Sequence, residues 1–239
     1  MLRGAADPQL LDMIEQKLNE LFGQLDDLSD EQLVADDPRR VREVIKRSFV
    51  PDPTFKSFAG LSYFDIIRSN GLWDLTARAF PESDITESIA ASSRRVTTGE
   101  LRSFFDRPLD LHVDSQYFYT DRFSINFWTP LTACGKNAPG LTVLLIGVRE
   151  TRDYLEFNET GYEPGPGDIA HMHKFRCSKM QLEVLQEHEL LRYKWSPEFE
   201  KGDILAFTNL TMHATHYLPS MTQPRTSIEV RVDLPAVAV

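Results

Sequence analysis

The sequence predicts an α+β protein in which a helical first third precedes an antiparallel β-sandwich or barrel. Three observations predict it. Leu10, Leu11, Ile14, Leu18, Leu21 and Leu25 recur at helical spacing after Pro8, placing one apolar stripe on an early helix. From about Ile85, short apolar or β-branched segments follow one another between Gly, Pro, Asn and Asp, as strands do. Helices come first and strands later, which is the order of an α+β fold rather than of interleaved units.

Taken in order, Ser29 and Gln32 have the spacing of a capping box for a second short helix. Val41, Val44, Ile45 and Phe49 space a third after Pro38, which must stop before Pro51-Asp52-Pro53. Residues 63–68 and 72–80 read as two more short helices, separated by Asn70-Gly71. The strand candidates are residues 89–97, 109–113, 123–128, 141–148, 204–207 and 226–234. Pro164-Gly165-Pro166-Gly167-Asp168 and Lys201-Gly202-Asp203 are turn signals just ahead of such segments, while residues 179–189 read as a helix or an insertion. No internal repeat or low-complexity tract interrupts the chain.

Composition bounds the function. The 239 residues suit one large domain or two small ones, and 41% hydrophobic content is enough for a sizeable core. No apolar run reaches the ~18 residues of a membrane span. The start lacks the basic and apolar regions of a signal peptide. Cys134 and Cys177 form neither a disulfide framework nor a grouped zinc site, so a reduced, cytoplasmic protein is expected. A net charge of −10 speaks against nucleic acid as a partner. It leaves room for a small anionic molecule held by a few local arginines. Acidic pairs such as Asp26-Asp27 and Asp36-Asp37 read as solvated faces.

The chemistry centres on His112-Val113-Asp114. On an extended strand, residues two apart point to the same face, so an imidazole nitrogen and a carboxylate oxygen aim at one point. A histidine from another strand would complete two nitrogens and one oxygen on one face of a metal, an arrangement suited to Fe(II) oxygenases. His-x-Asp alone is a weak signal and is met on ordinary surface strands. The C-terminal stretch adds to it. After the Lys201-Gly202-Asp203 turn come His213 and His216, then a last strand in which Arg225, Ser227, Glu229 and Arg231 alternate with Thr226, Ile228, Val230 and Val232. Such a strand packs its apolar face on a core and lines a pocket with its polar face. Arginine there has a reason: its planar fork holds a carboxylate by two parallel hydrogen bonds, and a serine hydroxyl can add a third.

His112-x-Asp114, Asn126-Phe127-Trp128-Thr129-Pro130-Leu131, Gly202-Asp203, the distal histidine and Arg225-x-Ser227 together resemble the phytanoyl-CoA dioxygenase family. The resemblance spans roughly residues 85–233. It implies a double-stranded β-helix (a cupin-like jelly roll) with the early helices buttressing one sheet: one oxygenase domain over residues 1–239, mainly helical in 1–84 and with its β-core in 85–239. It implies Fe(II), 2-oxoglutarate and O2 as cofactor and co-substrates, with succinate and CO2 released as an unactivated C–H bond is oxidised.

Residue by residue, the resemblance makes His112 and Asp114 the first two iron ligands. It makes His213 or His216 the third, with His213 preferred for its place close behind the Gly-Asp strand. It gives Arg225 the distal carboxylate of 2-oxoglutarate, with Ser227 assisting. Asn126, Gln116 and Trp128 are candidate pocket residues, as is His216 if it is not the ligand. Because Asp114 is present, hydroxylation or another oxidation is favoured over halogenation. The default substrate is a small-molecule metabolite. A cupin-like metal hydrolase or isomerase without 2-oxoglutarate is the alternative, and a non-catalytic β-sandwich binding module a third. His171 and His173 read as loop or pocket-wall residues, His188 as surface and Cys134 as packed; Arg94 and Arg95 face either pocket or solvent.

Overall fold

The computed structural model describes residues 1–26, 49–98, 111–114, 122–147 and 190–238. Two antiparallel sheets face one another, and helices cover the outside of the larger. Helix α1 (Pro8–Asp26) starts where the leucine stripe begins. Asp7 caps it, its carboxylate accepting the Gln9 amide at 2.8 Å, with Pro8 pre-set in the first turn. The stripe is its buried face: Leu10, Leu11, Ile14, Leu18 and Phe22 enter the main core. Strand β1 (Phe49–Pro51), helix α2 (Asp52–Ala59), helix α3 (Phe64–Ser69) and helix α4 (Leu72–Ala79) follow.

Two expectations are corrected here. Phe49 belongs to a strand paired with Arg94, not to a helix. The Pro51-Asp52-Pro53 segment does not merely stop an element; it opens α2, because proline near a helix start loses no intrahelical hydrogen bond. The expected helices at residues 29–32 and 41–48 lie outside the described residues, as do residues 164–168 and 179–189.

The larger sheet adds β2 (Thr86–Glu87), β3 (Ser92–Val96), β4 (Arg122–Pro130), β7 (Leu205–Thr208) and β9 (Arg225–Ala238). Its order is β1-β3-β9-β4-β7, with β2 also on β9. The smaller sheet is β6-β5-β8, from β5 (Gly140–Leu144), β6 (Lys194–Trp195) and β8 (His213–His216). An isolated bridge from His112 to His213 adds one more chain segment at the β8 edge. The expected strand at 109–113 is therefore reduced, among the described residues, to this one bridge. The whole is jelly-roll-like.

Strand β9 organises the packing. Ile228, Val230 and Val232 share one cluster with the α1 side chains, Phe55, Phe64 and Ile66, so the outward face of the large sheet is the apolar one. Each such side chain contributes roughly 1.5–3 kcal/mol through burial. Arg225, Ser227, Glu229 and Arg231 take the other parity and point between the sheets. On that side Trp128, Leu141, Val143, Phe199, Leu205 and Phe207 form a second cluster.

The Lys201-Gly202-Asp203 turn is a structural knot. Gly202 sits at φ +88°, where a side chain would be strained. Buried Asp203 accepts the backbone amides of Gly4 (2.9 Å) and Glu200 (3.0 Å) and pairs with Arg3 at 2.5 Å. Beside it Leu2 and Ile204 form a bridge, and Lys201 reaches Asp12 (2.6 Å) and Glu15 on α1. Burial pushes the Asp203 carboxyl up, but the two amides and Arg3 outweigh it, and the net shift is downward. A lowered carboxyl stabilises the fold above its unfolded pKa, and the contribution is lost as pH falls through the folded value. Asp203→Ala should cost about 2 kcal/mol. For a chain of this size that lowers Tm by roughly 4–8 °C at neutral pH. The difference from wild type should shrink in thermal melts run at progressively lower pH.

Candidate metal centre

His112 and His213 are directly opposed on neighbouring antiparallel segments. Each donates its amide to the other's carbonyl, at 2.9 and 2.8 Å. Such a pair projects both side chains from one face, and Asp114, two residues beyond His112, projects the same way. Val113 takes the opposite parity and is buried with Leu144 and Met212. The imidazole centroids lie 4.3 Å apart. Asp114 Oδ1 sits 3.8 Å from His112 Nε2 and 3.7 Å from His213 Nε2. The three donor atoms all lie within 4.8 Å of one another, and all three residues are buried.

Orientation is built in. His213 Nδ1 lies 2.9 Å from the Thr211 carbonyl, which can only accept, so Nδ1 carries the proton and Nε2 keeps its lone pair for a ligand. Phe207 flanks the ring at 4.9 Å. The carboxylate of Asp114 is divided between two environments. Oδ1 faces the imidazoles, while Oδ2 meets the Asn126 amide nitrogen and Arg231 Nη2, the latter at 3.3 Å. Burial raises the Asp114 carboxyl, yet the Arg231 charge and the adjacent His213 and His112 rings hold it well below the usual carboxylate range. It is ionised at any working pH. Glu229 is pushed the other way, by burial and by the nearby Asp114 charge, with Arg231 opposing. Two nitrogens and one carboxylate oxygen, pre-ionised and held on one face, are the donor set of a two-histidine, one-carboxylate metal site.

Arg225 is buried on the same face of β9 as Arg231. Its Nη1 donates to the Gly140 carbonyl at 2.9 Å and its guanidinium carbon stands 5.4 Å over the Trp128 ring. Gly140 offers that carbonyl from the start of β5, where a Cβ would meet the Gly135 Cα at 2.8 Å; Gly135 itself, at φ +97°, packs against the Pro197 carbonyl too closely for a side chain. Among the described residues, Arg225 Nε has no hydrogen-bond partner and no carboxylate pairs with the guanidinium. Burial pulls its pKa down to about 10, with Cys134 and Glu229 opposing, so it stays a cation. Ser227, two residues on and on the same face, is also buried.

The remaining expectations fall as follows. Asn126 is fully buried and bonded to Asp114, while its Oδ1 has no partner among the described residues. Trp128 lines the inter-sheet space beneath Arg225. His216 ends β8 with the opposite parity to His213, half-buried opposite Gly140, and takes no part in the His112–Asp114 group. Arg94 pairs in register with Ser227 and so shares the inner face. Arg95 turns to α1, forked on Asp26 at 2.9 and 2.6 Å. Burial pushes the Cys134 thiol up to about 11, in keeping with a packed rather than reactive cysteine. Gln116, His171, His173, Cys177 and His188 lie outside the described residues. Sequence reasoning passed over the roles of Glu229 and Arg231, although their alternation with Arg225 already placed them on the same face.

No protein-family model and no curated protein matches the sequence. Solved structures do match the fold. AviO1 from Streptomyces viridochromogenes Tue57 superposes with a TM-score of 0.55 over 98% of this chain and 88% of that one, at 14% identity. The non-heme alpha ketoglutarate dependent epimerase SnoN from nogalamycin biosynthesis gives 0.52 over 99% and 77%, at 13% identity. At these identities the likeness speaks for a shared fold.

The parity of β8 separates the two candidate distal histidines. Isothermal titration with Mn(II) should show binding lost in His213→Ala and retained in His216→Ala. The reverse result would mean that the strand register is not as described.

Proposed function

We propose that the chain is a non-haem Fe(II)- and 2-oxoglutarate-dependent dioxygenase, built as a double-stranded β-helix in one domain and related to the phytanoyl-CoA dioxygenase family by the order of its motifs. The observation that carries this is Arg225: a buried guanidinium with no carboxylate beside it among the described residues, between the same sheets as a two-histidine, one-carboxylate cluster. A buried charge is costly unless paired, so an arginine kept this way suits a carboxylate that arrives with a ligand. The ligand must also reach the metal, which a keto acid with a second carboxylate does. The fold it shares with SnoN, itself alpha ketoglutarate dependent, supports the reading.

In this reading His112, Asp114 and His213 hold the iron, and Arg225 with Ser227 fixes the distal carboxylate of 2-oxoglutarate. Iron, keto acid and O2 together supply the power to hydroxylate or otherwise oxidise an unactivated C–H bond, with succinate and CO2 released. The protein's own residues do the rest. Asp114 arrives ionised, Thr211 fixes the His213 tautomer, and Trp128 and Phe207 exclude water from the inner face. Asn126 Oδ1, buried and unpartnered among the described residues, faces the same space and can accept a hydrogen bond from a bound molecule. Substrate is a small-molecule metabolite rather than nucleic acid, in keeping with the net charge of −10. A packed, non-ionised Cys134 suits a reducing, cytoplasmic setting.

Arg225 gives the sharpest test. Losing one partner of a buried charge pair costs roughly 3–5 kcal/mol. With each 1.4 kcal/mol worth about tenfold, Arg225→Ala should weaken 2-oxoglutarate by two orders of magnitude or more. Arg225→Lys should recover only part, since an ammonium lacks the fork. Anaerobic titration of the Fe(II)-loaded proteins, followed by the charge-transfer absorption of the bound keto acid, measures this. A metal hydrolase on the same scaffold would show no dependence on Arg225.

A further inference from the structure

The inner face of β9 carries two buried arginines in opposite electrostatic states. Arg225 lacks a carboxylate partner among the described residues. Arg231 is held on three sides: Nη1 donates to the Ala90 carbonyl at 2.6 Å, and Nη2 meets Glu229 at 2.8 Å and Asp114 Oδ2 at 3.3 Å. Asn126, directly opposite Arg231 in the β4–β9 register, donates its amide to that same Oδ2. Both donors therefore engage Oδ2, while Oδ1 is the oxygen 3.8 and 3.7 Å from the two imidazole Nε2 atoms.

A free carboxylate can chelate a metal through both oxygens. That would consume a second coordination position. A metal held there by three protein atoms would keep about three positions for exchangeable ligands. Chelation by Asp114 would close one of them. We infer that Arg231, with Asn126 beside it, is a positioning residue that confines Asp114 to a single metal bond and so keeps the third exchangeable position open. The inference rests on the metal centre proposed above. Arg231 makes no contact with co-substrate in this role; its guanidinium is already occupied by Ala90, Glu229 and Asp114.

Mn(II) is the probe, because water-proton relaxation counts the exchangeable waters on a bound ion without turnover. Wild type should hold about three. Arg231→Met should hold one fewer, with Mn(II) affinity no weaker than wild type, while Arg231→Lys, which restores a cationic donor to Oδ2, should regain the wild-type count. A merely structural arginine would lower Mn(II) occupancy or thermal stability without altering waters per bound ion. An unchanged count in folded Arg231→Met overturns the inference, as does a wild-type count of about two. Should Arg231→Met fail to fold, a Mn(II)-soaked crystal of wild type decides: one Asp114 oxygen on the metal supports the clamp and two overturn it. Absence of Mn(II) binding by the folded wild type would instead overturn the metal centre itself, and the clamp with it.

Discussion

Everything in this molecule depends on the parity of β9. It is the central strand of the larger sheet, paired with β2, β3 and β4, and its two faces carry opposite chemistry. Even-numbered residues Ile228, Val230 and Val232 are buried against the helices. Odd-numbered residues Arg225, Ser227, Glu229 and Arg231 project between the sheets. A slip of one residue would exchange the faces, driving two guanidiniums into the apolar core and three aliphatic side chains into the site. Both outcomes cost several kcal/mol, so the helices that cover the outer face also hold the site in register. Fold stability and site geometry are properties of the same pairing.

The inner face is an electrostatic design with an asymmetry. Around Asp114, the Arg231 guanidinium and the two neighbouring imidazoles outweigh the cost of burial, and the carboxyl is held well below its ordinary range. Glu229, close to that negative charge, is driven toward its neutral form. Arg225, on the same face of β9, has a ring beneath it and one backbone carbonyl, but no carboxylate among the described residues.

The smaller sheet positions the histidines by backbone alone. The reciprocal hydrogen bonds between His112 and His213 set the rings side by side before any metal is considered, and the Thr211 carbonyl fixes which nitrogen faces inward. Much of this pre-organisation rests on local features of a few residues. At Gly140, for example, a Cβ would stand 2.8 Å from the Gly135 Cα, so the strand can start this close to the turn before it only with glycine.

Much of this was legible in the sequence, and for clear reasons. Period-3.6 spacing marked α1, and period-2 alternation marked β9 and told its two faces apart, because both patterns are local consequences of backbone geometry. His-x-Asp spacing indicated one shared face by the same logic. Where local signals compete, the sequence misled: Phe49 fits a helical pattern but pairs with β3, and proline at residues 51 and 53 marks a helix start as readily as a stop. The short β8 carries almost no periodic signal at all. Only tertiary structure decided what lies across a gap of many residues. It set His213 rather than His216 opposite His112, placed Asn126 and Arg231 on one oxygen of Asp114, and left Arg225 rather than Arg231 without a carboxylate among the described residues. Sequence alternation says which face a side chain takes. Which partner it meets there depends on strand register between segments distant in the chain, and only the folded pairing of β4, β8 and β9 specifies that.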